Sequence, residues 1–264
     1  MNADALVVPR EDLRLRTGAV AWFTAARHML RFEWATVRPW AGLTLVVQIM
    51  MSVGMAVMYG FFYPEVTDRT AMLITTGVPT LALVPLGFVL VPAAVSQRRI
   101  AGTFDFIWSL PVPRSAQVVA TFTLNSALAL PGTVLALLAG IRLYGVELSL
   151  SWVLLPAVVL SAVMCVAVGY GIAMLVGNPL IINLLTNATV FLVLLFTPIV
   201  YPAANLPEGM QRMHEVLPFY PMAQVVRAGL TDGVVTNLGA SFLTLAVWAA
   251  AGTAVTTWAV TRRP

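Results

Sequence analysis

The stretch SLSWVLLPAVVLSAVMCVAVGYGIAMLV, residues 149–176, carries no Asp, Glu, Lys or Arg. After Gly177-Asn178-Pro179 comes a second uncharged block, LIINLLTNATVFLVLLFTPIV, residues 180–200. About 20 apolar residues in a helix cross a hydrocarbon layer about 30 Å thick. A soluble helix shows an apolar stripe and not an unbroken run. Working outward, similar blocks occupy residues 41–63, 71–95, 115–141 and 238–261, none charged at its centre. The chain of 264 residues is 59% hydrophobic and only 10% charged, with mean hydropathy +0.89. Soluble domains carry roughly 25% charged residues, so this chain has no polar coat for a water-facing surface. The expected fold is an all-α integral membrane protein with six transmembrane helices. Pro79, Pro85, Pro92, Pro131 and Pro156 lie within spans, where neighbouring helices can satisfy the carbonyls they free.

All fifteen basic residues are Arg. Eleven fall before the first span, after the second and beyond the last, whereas the opposite connections hold four: Arg69, Arg142, Arg212 and Arg227. The positive-inside rule then places both termini in the cytoplasm of a bacterial-type inner membrane. The net charge of +4 reflects this arrangement and not nucleic-acid binding. The first 18 residues are polar and do not read as a cleavable signal. The single cysteine, Cys165, lies within a span and reads as a small buried hydrophobe.

Residues 1–40 divide from the six-span domain, 41–264, as an arm and a separate amphipathic helix at 19–38. Trp22, Phe23, Ala26, Met29, Leu30, Trp34 and Val37 share one arc, broken by Glu33. Arg27, Arg31 and Arg38 flank it. The pattern fits a helix in the cytoplasmic headgroup layer. It also fits a helix packed on this protein or on a partner.

Three further segments stand out. QRRIAGTFDFIWSLPVPR, residues 97–114, is too apolar for a solvated loop and predicts a short helix. Thr103 is placed to cap its start, and Pro111 and Pro113 end it. Its aromatic face suits docking to a protein or resting on lipid. Residues 197–237 hold five prolines yet are half apolar, which predicts two short helices near 207–216 and 220–230, broken at Pro218 and Pro221. These either dip partly back into the membrane or form a packing cap on its surface. Within the spans, Gln48, Asn125, Asn183, Thr186 and Asn187 must find polar partners, and Asn183, Thr186, Asn187 and Thr197 fall on one side of the fifth span by its 3.6-residue repeat. They mark a substrate path or subunit seam, or ordinary helix–helix contacts. Gly169 and Gly171 suggest close packing of the fourth span. No span carries an ionisable residue for ion coupling, and no GxxxxGK[ST] phosphate loop occurs. His28 and His214 have no partner set for a metal or a catalytic triad, so no catalytic or metal-binding residue is expected.

Six spans, an amphipathic N-terminal helix and a Gly-Thr loop resemble the membrane subunit of type-2 ABC exporters. AGTFDFIWSLPVPRSAQVVA (101–120) resembles the family's coupling segment, LLFTPIVYPAANLPEGMQ (194–211) the end of its fifth span, and LPFYPMAQVVRAGL (217–230) the segment before the last span. The style is closest to permeases of daunorubicin/doxorubicin-type drug exporters. Permeases for lipid-linked polysaccharides share the architecture. Gln97, Arg98 and Arg99 stand where the family often has an acidic residue before Gly-Thr, and Pro218-Phe219-Tyr220-Pro221 where Asn-Pro is common.

The resemblance implies a half-transporter, not itself an enzyme, that pairs with a second permease copy or homologue. Two separate ABC subunits would bind ATP and Mg. Arg98, Arg99, Gly102, Thr103, Phe104, Asp105, Trp108, Pro111 and Arg114 would form the ATPase-coupling segment. Tyr201, Pro202, Leu206, Pro207 and Pro218 would belong to the extracytoplasmic gate. The implied activity is export of an amphipathic drug, antibiotic or lipid-like molecule by alternating access. The readings from other classes are a lipid-linked glycan flippase and a non-transporting membrane scaffold.

Overall fold

The computed structural model describes residues 18–262 apart from Pro64, Pro111 and Thr236, and the side chains there except those of Asp105, Trp108 and Arg262. The arm with Arg10, Arg14 and Arg16, like Arg263, lies outside the described residues. All described elements are helical. They are α1 (Ala19–Phe61), α2 (Asp68–Ile100), α3 (Thr103–Ser109), α4 (Arg114–Tyr144), α5 (Leu154–Leu175), α6 (Pro179–Phe196), α7 (Glu208–Val216), α8 (Phe219–Leu230) and α9 (Leu238–Arg262). Helices α1, α2, α4, α5, α6 and α9 are each long and apolar enough to cross a membrane. The bundle therefore has one end that carries both α1's start and α9's finish, and a far end built from α7, α8 and the opposite helix tips.

The amphipathic segment and the first span are not separate elements. They run through Pro39 as one helix of 43 residues. At 1.5 Å per residue that is about 65 Å, roughly twice the hydrocarbon thickness. Proline leaves unmade only the bond to the carbonyl four residues back, which belongs to exposed Ala35. Solvent or headgroups satisfy that carbonyl, so the helix continues.

Helix α2 widens into a π-turn over Leu86–Leu90. Pro85, just before it, cannot donate to the preceding turn, which gives the local loosening a cause. Gly87 lies in this turn. A Cβ there would sit 2.5 Å from Cys165 Cβ, and one on Gly169 would collide with the Gly87 carbonyl. On α5's other side, a Cβ at Gly252 of α9 would fall 2.7 Å from the Ala167 backbone. Small residues thus let α2, α5 and α9 meet backbone to backbone, as helices in lipid favour.

Helix α1 lies along α4, α4 on α2, α2 on α5 and α5 on α9, with α6 against the second half of α2. The most apolar 18-residue window is 72% buried in α2 and 61% in α5, but only 28% in α1, 22% in α6 and 17% in α9. Helices α2 and α5 form the core. The outer faces of α1, α6 and α9 are apolar and uncovered.

Candidate functional site

The end that carries α1's start is organised by three arginines around α3. Arg98, on α2's last turn, donates from Nη1 and Nη2 to the two carboxylate oxygens of Glu33 at 2.7 and 2.5 Å. Thr121 of α4 donates its hydroxyl to Glu33 Oε1 at 2.8 Å. The Glu33 side chain is 0% exposed and that of Arg98 12%. Asn125 adds a bond one turn along, from its amide to the Thr121 carbonyl. Arg99 donates to the carbonyls of Ala173 and Val176 at 3.0 and 2.6 Å, at the end of α5. Arg114 donates to those of Val260 and Thr261 at 2.6 and 3.0 Å, at the end of α9. Helix C-termini leave carbonyls without intrahelical donors and carry partial negative charge, so guanidinium groups satisfy both needs. The chain on both sides of α3 is thereby fastened to α1, α4, α5 and α9.

Helix α3 differs from the expectation at its start. Gly102, in the left-handed region at φ 67, is the N-cap, and Thr103 is the first helical residue with no capping side chain. Glycine takes that backbone conformation without a Cβ clash. The aromatic face also divides. Phe104 and Ile107 are buried, while Phe106 is 57% and neighbouring Ile100 65% exposed. Ile107 packs with Met29 of α1 and Ala120 of α4. Among the described side chains, Phe106 with Ile100 therefore forms the uncovered apolar surface around the helix. Asp105 and Trp108 lie on α3, and Pro111 falls outside the described residues.

The start of α1 divides in the same way. Trp22 donates its indole N–H to Ser115 at 2.9 Å, and Met29 and Glu33 are buried against the loop and α4. Phe23, Arg27, Arg31, Trp34 and Arg38 remain exposed, at three- and four-residue spacing on one face. That face retains the headgroup composition, while the other packs on this protein. Glu33 breaks the apolar arc because it is the acceptor for Arg98.

The span amides do not gather. Gln48 is buried in α1 against Gly132 of α4, where a Cβ would meet its amide carbon at 3.1 Å. It faces away from the exposed Leu43, Val46, Val47 and Met50. Thr186 is also buried and back-bonds to Ile182. Asn183 and Asn187 are exposed on α6's outer face, where Asn187 donates to the Asn183 carbonyl. The expected single polar side of this helix is thus split, with Thr186 turned inward and the two amides outward.

At the far end, Tyr201 donates to the Phe196 carbonyl at 2.6 Å and Tyr63 to Val200 at 2.9 Å. These bonds fold the chain over the end of α6, between it and the short turn Ala203–Asn205. Pro202 precedes that turn and Leu206 follows it, its carbonyl accepting from Gln211 at 2.7 Å. Pro207 caps α7 and Pro218 caps α8. The break falls at Leu217–Pro218 alone. Pro221 sits in the first turn of α8, where a missing N–H costs nothing. Helix α8 is buried among α2, α5 and α9. Ser149 and Ser151, leading into α5, donate backbone N–H groups to Leu230 and Gly229. Its Arg227, 4% exposed, donates from Nε to Thr76 at 3.0 Å and from Nη2 to the Ile199 carbonyl at 2.7 Å. Thr76 lies eight residues into α2, so Arg227 sits about 12 Å inside the bundle's far end. His214 of α7 is buried, and burial pushes its pKa below 6.5 against the opposing pull of the Phe196 carbonyl.

Six helices long and apolar enough to cross a membrane, a short helix clamped outside them and a buried short helix at the opposite end define a multi-pass membrane protein. The protein-family model for the ABC-2 type transporter membrane domain matches residues 24–231. The chain belongs to that family and is the transmembrane permease component of an ABC transporter. Such permeases work with ABC ATPase partners. No curated protein matches the chain.

Proposed function

We propose that this permease exports an amphipathic molecule, a drug, antibiotic or lipid-like compound of the kind handled by daunorubicin-type exporters. It works by alternating access, from the cytoplasm or inner leaflet, with both termini cytoplasmic. Two permease halves, identical or homologous, associate with two ATPase subunits that bind ATP and Mg. The observation that carries this reading is the arginine clamp around α3. A helix docked on a moving ATPase transmits force only if its ends are tied to the spans, and Arg98, Arg99 and Arg114 supply those ties to three helices, α1, α5 and α9. The arginines thus work inside the permease, and exposed Phe106 and Ile100 offer the apolar contact for the ATPase groove.

The uncovered face of α6, with Asn183 and Asn187, is the seam or path between the two halves. Lipid offers amides no partner, so a second protein surface or a hydrated path suits that face better. Tyr201, Pro202, Leu206, Pro207 and Pro218, with α7 and α8, form the outer gate. Co-purification with the products of neighbouring genes tests the reading. A Walker-motif ATPase is expected with the chain, and its loss should abolish transport. Stable isolation with full function and no such partner would overturn the proposal and favour a scaffold.

A further inference from the structure

A cavity of about 220 Å³ opens at the far end between the start of α2, the 198–204 segment and α8. Its polar lining comprises Arg69, Arg227, Gln224, Tyr201 and Tyr220, and among the described residues no carboxylate lines it. Arg69 is exposed at the mouth and Arg227 is buried below it. Along α2, the seven residues from Arg69 to Thr76, the hydrogen-bond partner of Arg227, span about 10 Å. The cavity thus has one cation at its rim and one deeper in.

Arg227 has no counter-ion among the described residues. Both of its hydrogen bonds go to neutral oxygens. The ion pairs among the described residues are Arg98–Glu33 and Arg212–Glu208. Glu147 and Asp232 line one neighbouring cavity and Glu215 another, Asp68 precedes Arg69 in sequence with Glu65 three residues before it, and all five acids are exposed. Burial lowers the pKa of Arg227 to about 10, which still leaves it charged at neutral pH. A buried, unpaired charge is costly unless something pairs with it, and guanidinium groups prefer oxyanions.

We propose that this cavity is an oxyanion-binding site, which takes the phosphate or carboxylate of an amphiphile between Arg69 and Arg227, with the Tyr220 hydroxyl and the Gln224 amide as further partners. The oxyanion belongs either to a resident membrane lipid or to a transported molecule. The site stands on its own geometry and does not require that the direction or substrate of transport proposed above be right.

Calorimetric titration of the full chain in phosphatidylcholine nanodiscs tests it, with dodecyl phosphate as the probe and dodecanol as its uncharged counterpart. Dodecyl phosphate is expected to bind saturably and at least about tenfold more tightly, as suits a charge-assisted hydrogen bond. Arg69→Gln, at an exposed position, should weaken the phosphate by about tenfold and leave dodecanol unchanged. Arg227→Gln should remove saturable binding, and Arg227→Lys should keep most of it. Equal affinity for the two probes, or an Arg69→Gln protein that binds dodecyl phosphate like wild type, would overturn the proposal even if Arg227→Gln fails to fold. Repeating the titration in phosphatidylglycerol nanodiscs identifies the source. A weakened apparent affinity supports the site with lipid phosphate as its occupant, and an unchanged one supports it with a non-lipid anion.

Discussion

Replacing Arg98 with Gln removes the charge that faces Glu33, a carboxylate with 0% side-chain exposure. What remains is one hydroxyl donor, Thr121, for two carboxylate oxygens. Removing one member of a buried ion pair costs about 3–5 kcal/mol, because the other charge stays buried and unpaired. Glu33→Gln should cost less, about 2–3 kcal/mol, since Arg98 keeps 12% exposure and a route towards solvent. The double variant Glu33→Gln/Arg98→Gln leaves no buried charge, so most of the loss should return. The single losses sum to about 5–8 kcal/mol, so a residual loss of about 1–2 kcal/mol in the double variant gives a coupling energy of about 4–6 kcal/mol. For a chain of this length, about 3 kcal/mol corresponds to a fall in Tm of roughly 6–10 °C. Thermal unfolding of the four proteins in one nanodisc preparation, followed by tryptophan fluorescence, measures the cycle. If the two single losses simply add in the double variant, the pair contributes no coupling and the clamp argument fails. A functional readout accompanies it. The double variant should fold, yet transport less per ATP hydrolysed, because α1 is no longer tied to the α2–α3 junction.

Other perturbations separate packing from docking. Phe106→Asp should leave thermal stability within about 0.5 kcal/mol, as an exposed site, but reduce retention of the ATPase on co-purification. Phe104→Ala, in the core, should cost about 3–5 kcal/mol in unfolding and act on coupling only through folding. Gly169→Ala should destabilise by about 1–3 kcal/mol or more, because its methyl meets the Gly87 carbonyl across α2 and α5; thermal unfolding checks it. For His214, the lowered folded-state pKa means the unfolded chain binds more protons below pH 6.5. Stability is then full above pH 6.5 and falls as pH drops towards the folded pKa. Proteolysis of the outer segment should rise across that window, and His214→Phe should flatten the dependence. Asn183→Cys in a Cys165→Ala background should cross-link two permease copies if α6 forms the seam; cross-linking only to lipid-phase reagents would refute that placement.

The spans and the two short far-end helices were legible because each rests on a local signal. Apolar runs of span length predict membrane helices, and the prolines at 207 and 218 mark where α7 and α8 begin. What was not legible depends on partners distant in sequence. Glu33 read as a flaw in an amphipathic arc, since its partner, Arg98, stands 65 residues away. Arg98, Arg99 and Arg114 read as surface charge for an ATPase, since nothing local reveals that helix ends at 173–176 and 260–261 face them. The helical wheel placed Thr186 with Asn183 and Asn187 because it assigns a shared side but not the neighbour that covers part of it. The left-handed Gly102 had a local signal, the Gly-Thr pair, but Thr103 was the more familiar cap. Arg227 was counted as a loop charge, and no pattern in 217–230 indicates that its helix turns inward.

The clamp also explains why the spans can lack charge and still move as units. On the coupling role proposed above, an ATPase pushing on α3 would meet a helix held by two buried side chains, Phe104 in the main core and Ile107 against Met29 and Ala120. Apolar contact alone would let α3 slide, because it has no preferred direction. The three guanidinium groups add direction, since Arg98 and Arg99 bind oxygens through both Nη atoms of a planar fork and Arg114 holds two successive carbonyls through Nη1. Two of the three hold the ends of α5 and α9, whose small-residue interface brings their backbones together. Displacement of α3 would then move α5 and α9 together, and with α5 the buried α8, whose last residues are bonded to the backbone leading into α5. This gives a continuous mechanical route between the two ends of the bundle that needs no ionisable group within the membrane. It makes one further demand. Arg99→Gln and Arg114→Gln should each reduce transport more than ATPase binding, whereas Phe106→Asp should reduce both. If the arginine variants lose the ATPase as fully as Phe106→Asp does, they contact the partner directly and the route through α5 and α9 is wrong.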